Sequence, residues 1–550
     1  MVTRRHLLRA SAAVAASISV PRFFPLHAQG PDSRIDVLLD EPIGTIAPEI
    51  YGHFVEHLGG VVYDGIWVGE NSRVPNVGGL RKALVDALAK TKPGVIRWPG
   101  GCFADQYDWR DGIGPRDKRP KRTNFWVDAP EWPKNARRDG PQVYDPNAFG
   151  TVEFARFCKA VGAEPYFAAN LRSLPAQEYW RWVEYCNSPA GSSTLAAQRA
   201  ADGAPEPLNV KYWGVGNESW GCGGNFAPEE YAIEFRRYSA WVPGYGVGLR
   251  QIPSGPNAGD INWTRRFFER ARQGLGVMWG FALHHYSWNA SGGRTTDWMQ
   301  GKGDAVKFDA EQHYEILREG QKVDQLIATH WDAMGEFDRQ RRVKLVVDEW
   351  GAWHAPGTEP FPEALLGQQN TMRDAVLAAL SLDIFHKHAD KVAMANIAQL
   401  VNCLQSLFLA HEDKFCVTPT YHVFDMYAAH QQGQSVRTAF ASAPVGYTRN
   451  KQPATLAGLG GSASVKGKQL TLTVTNASLE RTCEAEVRVR GGRIEGVRAV
   501  TLAAADVHAH NRLDAPREVE PKAAAATPRS GQLVHRFPPS SVTKLEITLG

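Results

Sequence analysis

Tyr212-Trp213-Gly214-Val215-Gly216-Asn217-Glu218 is a short apolar run that stops at a glycine and then presents a carboxyl. A run of this length, bounded by a turn residue, reads as a buried strand, so Glu218 stands where a strand emerges into a loop. Leu345-Val346-Val347-Asp348-Glu349-Trp350 repeats the arrangement and puts Glu349 at a second strand end. If both strands belong to one parallel barrel, their C-terminal ends open on the same face and the two carboxyls converge there.

Outward from these two segments the same alternation continues. Apolar runs occur at residues 50–54, 94–97, 165–169, 211–215, 250–254, 279–283, 344–348 and 392–398. The fifth is interrupted by Pro253. Between the runs lie helical stripes: Leu80, Ala83, Leu84, Ala87 and Leu88 recur at i, i+3, i+4, i+7 and i+8, and Phe154, Phe157, Cys158 and Val161 repeat the spacing. Strand followed by helix, eight times, predicts an α/β fold of the (β/α)8 TIM-barrel class over residues 50–432. Beyond residue 432 the period changes to two, in Lys468 to Thr475, Cys483 to Val489 and Val542 to Leu549, with Gly and Asn turns between. That pattern predicts a C-terminal β-sandwich, jelly-roll-like, over residues 433–550. Residues 31–49 are expected to join it through a strand near Asp36 to Leu39. Ala515 to Ser530, rich in Ala and Pro, reads as a loop.

Of 550 residues, 43% are hydrophobic and 22% charged, which suits a globular protein of two domains. Arg4-Arg5 ahead of a weakly apolar stretch closing near Ala28 predicts a twin-arginine export signal over residues 1–28 and a periplasmic or secreted product. The stretch is too short and too weakly apolar to span a bilayer, so no membrane association is expected after its removal. Its loss removes four arginines and no acids, taking the formal charge from +4 to 0. Without a net positive field, the basic run Arg116 to Arg122 reads as a solvated loop, and no nucleic-acid partner is expected. The seven cysteines form no Cys-x-x-Cys pair, and His386 with His388 and His508 with His510 lack further ligands at metal spacing, so no metal site is expected. An odd count leaves at least one free thiol, and a protein exported already folded needs few or no disulfides. No Gly-rich nucleotide fingerprint follows a strand, and no cofactor is expected.

A carboxyl pair at the mouth of a barrel is the equipment of a glycoside hydrolase. Tyr51 to Gly59 (YGHFVEHLG), Arg97 to Gly101 (RWPGG), Gly216 to Glu218 (GNE), Leu283 to Tyr286 (LHHY), Asp348 to Trp350 (DEW) and Ala398 to Asn402 (AQLVN) together resemble the α-L-arabinofuranosidases of glycoside hydrolase family 51. The match is collinear from about residue 36 to the end. The resemblance implies a retaining, exo-acting hydrolase of terminal α-L-arabinofuranosyl groups on arabinoxylan, arabinan or their oligosaccharides, and a homo-oligomer. It assigns Glu218 as acid/base and Glu349 as nucleophile. Asn217 matches the residue that binds the sugar 2-hydroxyl. Glu56, Gln399 and His284 match residues that hold other hydroxyls or the nucleophile, and Tyr286 matches the tyrosine that orients the nucleophile. Arg97, at the end of the second strand, is expected to keep Glu349 ionised by charge pairing. Where many members read Gly-Gly-Asn-Phe, this chain has Gly101-Cys102-Phe103, which places a thiol, a weak hydrogen-bonding group, at a sugar contact. Trp98, Trp109, Trp126, Trp220, Trp288 and Trp353 follow strands and could form sugar platforms, although most tryptophans are expected to pack.

Two other readings fit the same residues less well. An endo-β-glucanase or xylanase would share the barrel and both glutamates. A carbohydrate-binding protein without catalysis would not need both carboxyls in place.

Overall fold

The computed structural model describes residues 32–289, 301–528 and 532–550. The expected export signal lies outside them. Eight parallel strands form one sheet: Gly52–Phe54, Val95–Trp98, Glu164–Ala169, Tyr212–Val215, Arg250–Pro253, Gly280–Ser287, Lys344–Ala352 and Val392–Ala398. They are called the first to eighth barrel strands below. Each apolar run picked from the sequence becomes one of them. Neighbours pair in chain order, and the eighth strand closes on the first through Ile397 and His53. The fifth and sixth strands meet only at an isolated bridge, Gln251 to Met278, where Trp279 N–H donates to Gln251 O at 2.9 Å. Pro253, without an N–H, cannot extend that join.

Alternation along the strands builds two shells. Val95, Tyr166, Tyr212, Ile252, Ala282, Val346 and Met394, one from each of seven strands, pack together inside the barrel. The first strand contributes Gly52, where a Cβ would lie 2.1 Å from Asn396 Oδ1 and 2.7 Å from Val95 Cγ1, so the lumen has no room for a side chain there. The next residue along each strand faces outward. Phe167 and Trp213 stack at 5.4 Å, and Trp182, from the helix Ala176–Asn187, meets them at 4.9 and 5.5 Å. Each such ring removes enough apolar surface to stabilise the fold by about 1.5–3 kcal/mol. The stripe Phe154, Phe157, Cys158 and Val161 is buried on the helix Thr151–Val161, which ends at Gly162 in a left-handed conformation, φ 79°. Glycine there lets the terminal carbonyls of Cys158 and Lys159 be capped.

Among the described residues nine further strands form a curled, mainly antiparallel sheet, and the others pair two by two in short ribbons. Ser33–Thr45 sits inside the curled sheet, antiparallel to Gln434–Ala441 and parallel to Cys483–Arg490. Its core is a separate cluster including Ile35, Val37, Leu472, Val487, Phe537 and Leu545. The described part of the Ala515 to Ser530 segment is loop as expected except at three residues. Lys522–Ala524 pairs with the strand Ile494–Leu502 at the sheet edge, because its backbone finds ladder partners despite a weak sequence pattern. A buried polar network joins the two domains: Tyr51 Oη to His386 Nε2 at 2.8 Å, His386 Nδ1 to Ser462 Oγ at 2.8 Å, and Ser462 Oγ donating to Asp383 at 2.6 Å. The basic run is less solvated than expected. Arg119 is 3% exposed at its side chain and, with Arg116, pairs with Glu153.

Candidate active site

The lumen turns polar toward the C-terminal ends of the strands. Arg97, from the second strand, is 1% exposed and lies 3.3 Å from Asp348 and 2.7 Å from Glu349 Oε1. Asp348 also accepts from Tyr166 Oη at 3.0 Å and from Asn396 Nδ2 at 2.9 Å. Consecutive strand residues normally face opposite ways, yet Asp348 and Glu349 both reach Arg97. The cause is a bulge: Leu283 pairs with Val347 and His284 with Glu349, leaving Asp348 as an extra residue on the seventh strand. Bulges re-aim side chains in this manner beside functional sites.

Glu349 is 5% exposed, and both of its oxygens are engaged, Oε1 by Arg97 and Oε2 by Tyr286 Oη at 2.7 Å. Burial works to raise its pKa, but the charges of His284 and Arg97 and the two hydrogen bonds outweigh it, so the carboxyl titrates below its ordinary value. His284 Nδ1 lies 2.9 Å from Glu218 Oε1 and 3.6 Å from Glu349 Oε2. Burial disfavours its charge, and the two carboxylates more than compensate, so its pKa is raised. An oxygen of Glu218, one of Glu349 and a ring nitrogen of His284 all fall within 4.8 Å of one another. With Arg97 and Tyr286 already holding both Glu349 oxygens, this cluster is built as a carboxyl pair rather than a cation cage.

Asn217 Oδ1 accepts from Arg97 Nη2 at 2.6 Å, which fixes the amide so that Nδ2 is its remaining donor group. Glu56 and Gln399 form a second pair: Glu56 N–H donates to Gln399 Oε1 at 3.0 Å, and Gln399 Nε2 donates to Glu56 Oε2 at 3.3 Å. Glu56 Oε1 accepts from the N–H groups of Gly101 and Phe103 at 3.2 and 2.9 Å. Burial pushes the Glu56 pKa up to about 7 against those donors. Gly101 separates the two pairs, and a Cβ there would come 3.0 Å from Glu349 Oε1. The candidates from the sequence therefore gather at one end of the barrel, with Cys102 changed in character. Its sulfur is bonded to Cys222, so no thiol is offered to a ligand, and the expectation of a Cys102 sugar contact through sulfur hydrogen bonding is corrected. The other five cysteines are free and buried.

Sequence reasoning overlooked Asp105, which is fully buried and accepts from Leu171 N–H at 2.8 Å, Arg172 N–H at 3.2 Å and Asn217 N–H at 3.0 Å. Burial pushes its pKa up to about 7 in spite of these three donors. No spacing rule finds such a residue, since it lies in the short 3-10 helix Cys102–Gln106 rather than at a strand end. The disulfide left a signal: one cysteine follows the second strand, one follows the fourth, and a barrel brings those loops close. Of the tryptophans after strands, Trp98 and Trp109 are buried in the aromatic core, while Trp353 meets the Tyr286 ring edge-on at 5.2 Å beside the site.

Comparison with known proteins agrees with this geometry. A family pattern described as Alpha-L-arabinofuranosidase 1 domain matches residues 87–242, and one described as Alpha-L-arabinofuranosidase C-terminal domain matches residues 348–541. An intracellular exo-alpha-L-arabinofuranosidase of Bacteroides ovatus is 36% identical over 550 residues, covering 99% of this chain and 100% of the relative. The crystal structure of the GH51 arabinofuranosidase from Xanthomonas axonopodis pv. citri superposes with a TM-score of 0.85 at 34% identity, covering 94% of this chain and 100% of that one. An arabinose complex of the Thermotoga maritima α-L-arabinofuranosidase gives 0.76 at 29% identity, with 94% and 100% coverage. A family 44 xyloglucanase from Paenibacillus polymyxa, 13% identical with a TM-score of 0.57, shares the fold alone.

Proposed function

The chain belongs to the α-L-arabinofuranosidases of glycoside hydrolase family 51, and from that premise we propose that it removes terminal α-L-arabinofuranosyl groups from arabinoxylan, arabinan or their oligosaccharides by double displacement. The observation that carries the mechanism is the proximity of Glu218 and Glu349, with oxygens within 4.8 Å. Retaining glycosidases hold their carboxyls about 5–5.5 Å apart, whereas inverting enzymes need about 6.5–9.5 Å to admit water. Glu349, kept ionised by Arg97 and His284, attacks the anomeric carbon while Glu218 gives a proton to the leaving oxygen. Forming the glycosyl ester removes the Glu349 charge. Glu218 then takes a proton from water, and His284, 2.9 Å away, stabilises the carboxylate in that step. In this reading the Asn217 amide bonds the sugar 2-hydroxyl, and the Glu56–Gln399 pair supplies further polar contacts.

Turnover of aryl α-L-arabinofuranosides with initial release of the α-anomer, read by proton magnetic resonance, is the expected result. Initial release of the β-anomer contradicts double displacement, and preferential hydrolysis of carboxymethylcellulose favours the endo-glucanase alternative. The pH profile gives a second check. In His284→Gln a positive neighbour of Glu349 is lost, so the nucleophile's pKa rises. Because attack needs the ionised form, the acid limb of kcat/KM moves to higher pH; a limb that stays or moves lower contradicts the pairing.

Export and self-association belong to the same proposal. The Cys102–Cys222 bond favours an oxidising compartment, although the Bacteroides relative is named as intracellular. Trp241, 98% exposed, lies beside Ile233 and Val277 on a groove of about 1140 Å³ around the start of the fifth and sixth barrel strands. An exposed apolar cluster with arginines suits a second copy of the chain, which sedimentation of the mature protein would reveal.

A further inference from the structure

We propose that Asp105 and the Cys102–Cys222 disulfide are positioning residues that hold Glu218 in its proton-donating conformation by tying the loop after the fourth barrel strand to the loop after the second. The proposal rests on the reading of Glu218 as acid/base and adds what fixes it there.

Glu218 has φ +39°, in the left-handed region. A non-glycine residue held there is strained and persists only when its surroundings over-determine it. The loop's own contacts help: Glu218 O accepts from Gly221 N–H at 2.7 Å and from Gly223 N–H at 3.2 Å. Cys222 stands between those two donors, and its bond to Cys102 closes a span of 120 residues. Cys222 Sγ lies 3.8 Å from Glu218 Oε2 and 3.8 Å from Asn217 Nδ2, so the sulfur also packs against both side chains of the site.

Asp105 makes the second tie on the other side of Glu218. Its Oδ2 accepts from the N–H of Asn217, the residue immediately before, while Oδ1 accepts from Leu171 and Arg172 at the end of the third strand. One buried carboxylate thus joins three loops. The packing is close, since a Cβ at Gly223 would meet Asn217 O at 1.7 Å and Asp105 Oδ2 at 2.9 Å. The segment from Cys102 to Asp105 therefore reaches the peptide before Glu218 and the loop four residues after it. It also donates the Phe103 N–H to Glu56.

The oxygens of Glu349 are held by Arg97 and Tyr286 and not by Asp105 or the cystine, so loss of either tie should weaken proton donation more than nucleophilic attack. The test is kcat/KM across arabinofuranosides of graded leaving-group acidity, for Asp105→Asn and for Cys102→Ala/Cys222→Ala, beside the parent and Glu218→Ala. With a dinitrophenyl leaving group both variants should stay within about threefold of the parent. With an alkyl leaving group they should fall by about 30-fold or more, within the range that general acid catalysis supplies. Equal proportional loss on every aglycone, or no loss on any, overturns the proposal.

If a variant fails to fold, the parent supplies the same measurement. A water-soluble phosphine cleaves the disulfide to two thiols and becomes its oxide, with the oxygen and two protons coming from water. The steeper leaving-group dependence should appear with circular dichroism unchanged and should vanish on reoxidation. An unchanged dependence in the reduced, folded enzyme overturns the role of the cystine. If Glu218→Ala itself shows no leaving-group dependence, the acid assignment fails and the tie falls with it. If Glu218→Ala shows it and the other variants do not, only the tie fails.

Discussion

Glu349→Gly should lower kcat/KM for 4-nitrophenyl α-L-arabinofuranoside by about 10⁵-fold, in line with removal of a covalent nucleophile. Azide should restore part of the turnover. The physical basis is the pair of contacts the carboxylate keeps, Arg97 on one oxygen and Tyr286 on the other. Removing the side chain leaves a space on the attacking face that a small anion can enter, and Arg97 stays paired with Asp348, so the buried guanidinium is not abandoned. Azide then attacks opposite the leaving group and yields the β-glycosyl azide. Full activity in the glycine variant, or rescue giving the α-azide, contradicts the assignment of Glu349.

Glu218→Ala should behave differently. Toward substrates whose leaving group needs a proton, kcat/KM should fall by about 10²–10⁴-fold, while a dinitrophenyl leaving group should depart almost as before. Deglycosylation then becomes slow for want of a base. Azide should speed it by capturing the glycosyl ester from the open face, and the product should be the α-azide. The two variants are thus told apart by the anomer they release. Uniform loss across aglycones in Glu218→Ala, or the β-azide from it, contradicts the acid/base role.

The barrel was legible because all eight strands are apolar runs bounded by turn residues and separated by helical stripes. The site was legible at Glu218, which directly follows a run. Glu349 was harder in principle. Strict alternation would set Asp348 and Glu349 on opposite faces, and only the bulge opposite His284 brings both to Arg97. The sixth and seventh strands also run farther than expected, to Ser287 and Ala352, because buried polar residues at the mouth continue the ladder that an apolar pattern cannot mark. His284, Tyr286 and Glu349 therefore lie within strands, a stiffer setting than loops. Asp105 stayed invisible because its partners are backbone N–H groups from two distant segments, a relation that side-chain spacing does not encode. Cys102, where many family members have Asn, reads from sequence as a weak thiol contact to the sugar; its meaning comes only with Cys222 beside it.

The strand Ser33–Thr45 finds its partners only after the whole barrel has been made, with Arg34 opposite Ala441. At ribosomal speeds of about 5–20 residues per second, this segment waits roughly 20–80 s with Ile35 and Val37 unshielded. Such an interval leaves a naked β-edge open to neighbouring nascent chains. Assembly of this fold therefore ends with the described strand that is synthesised first, and early-terminated chains should be sticky while the finished product is not.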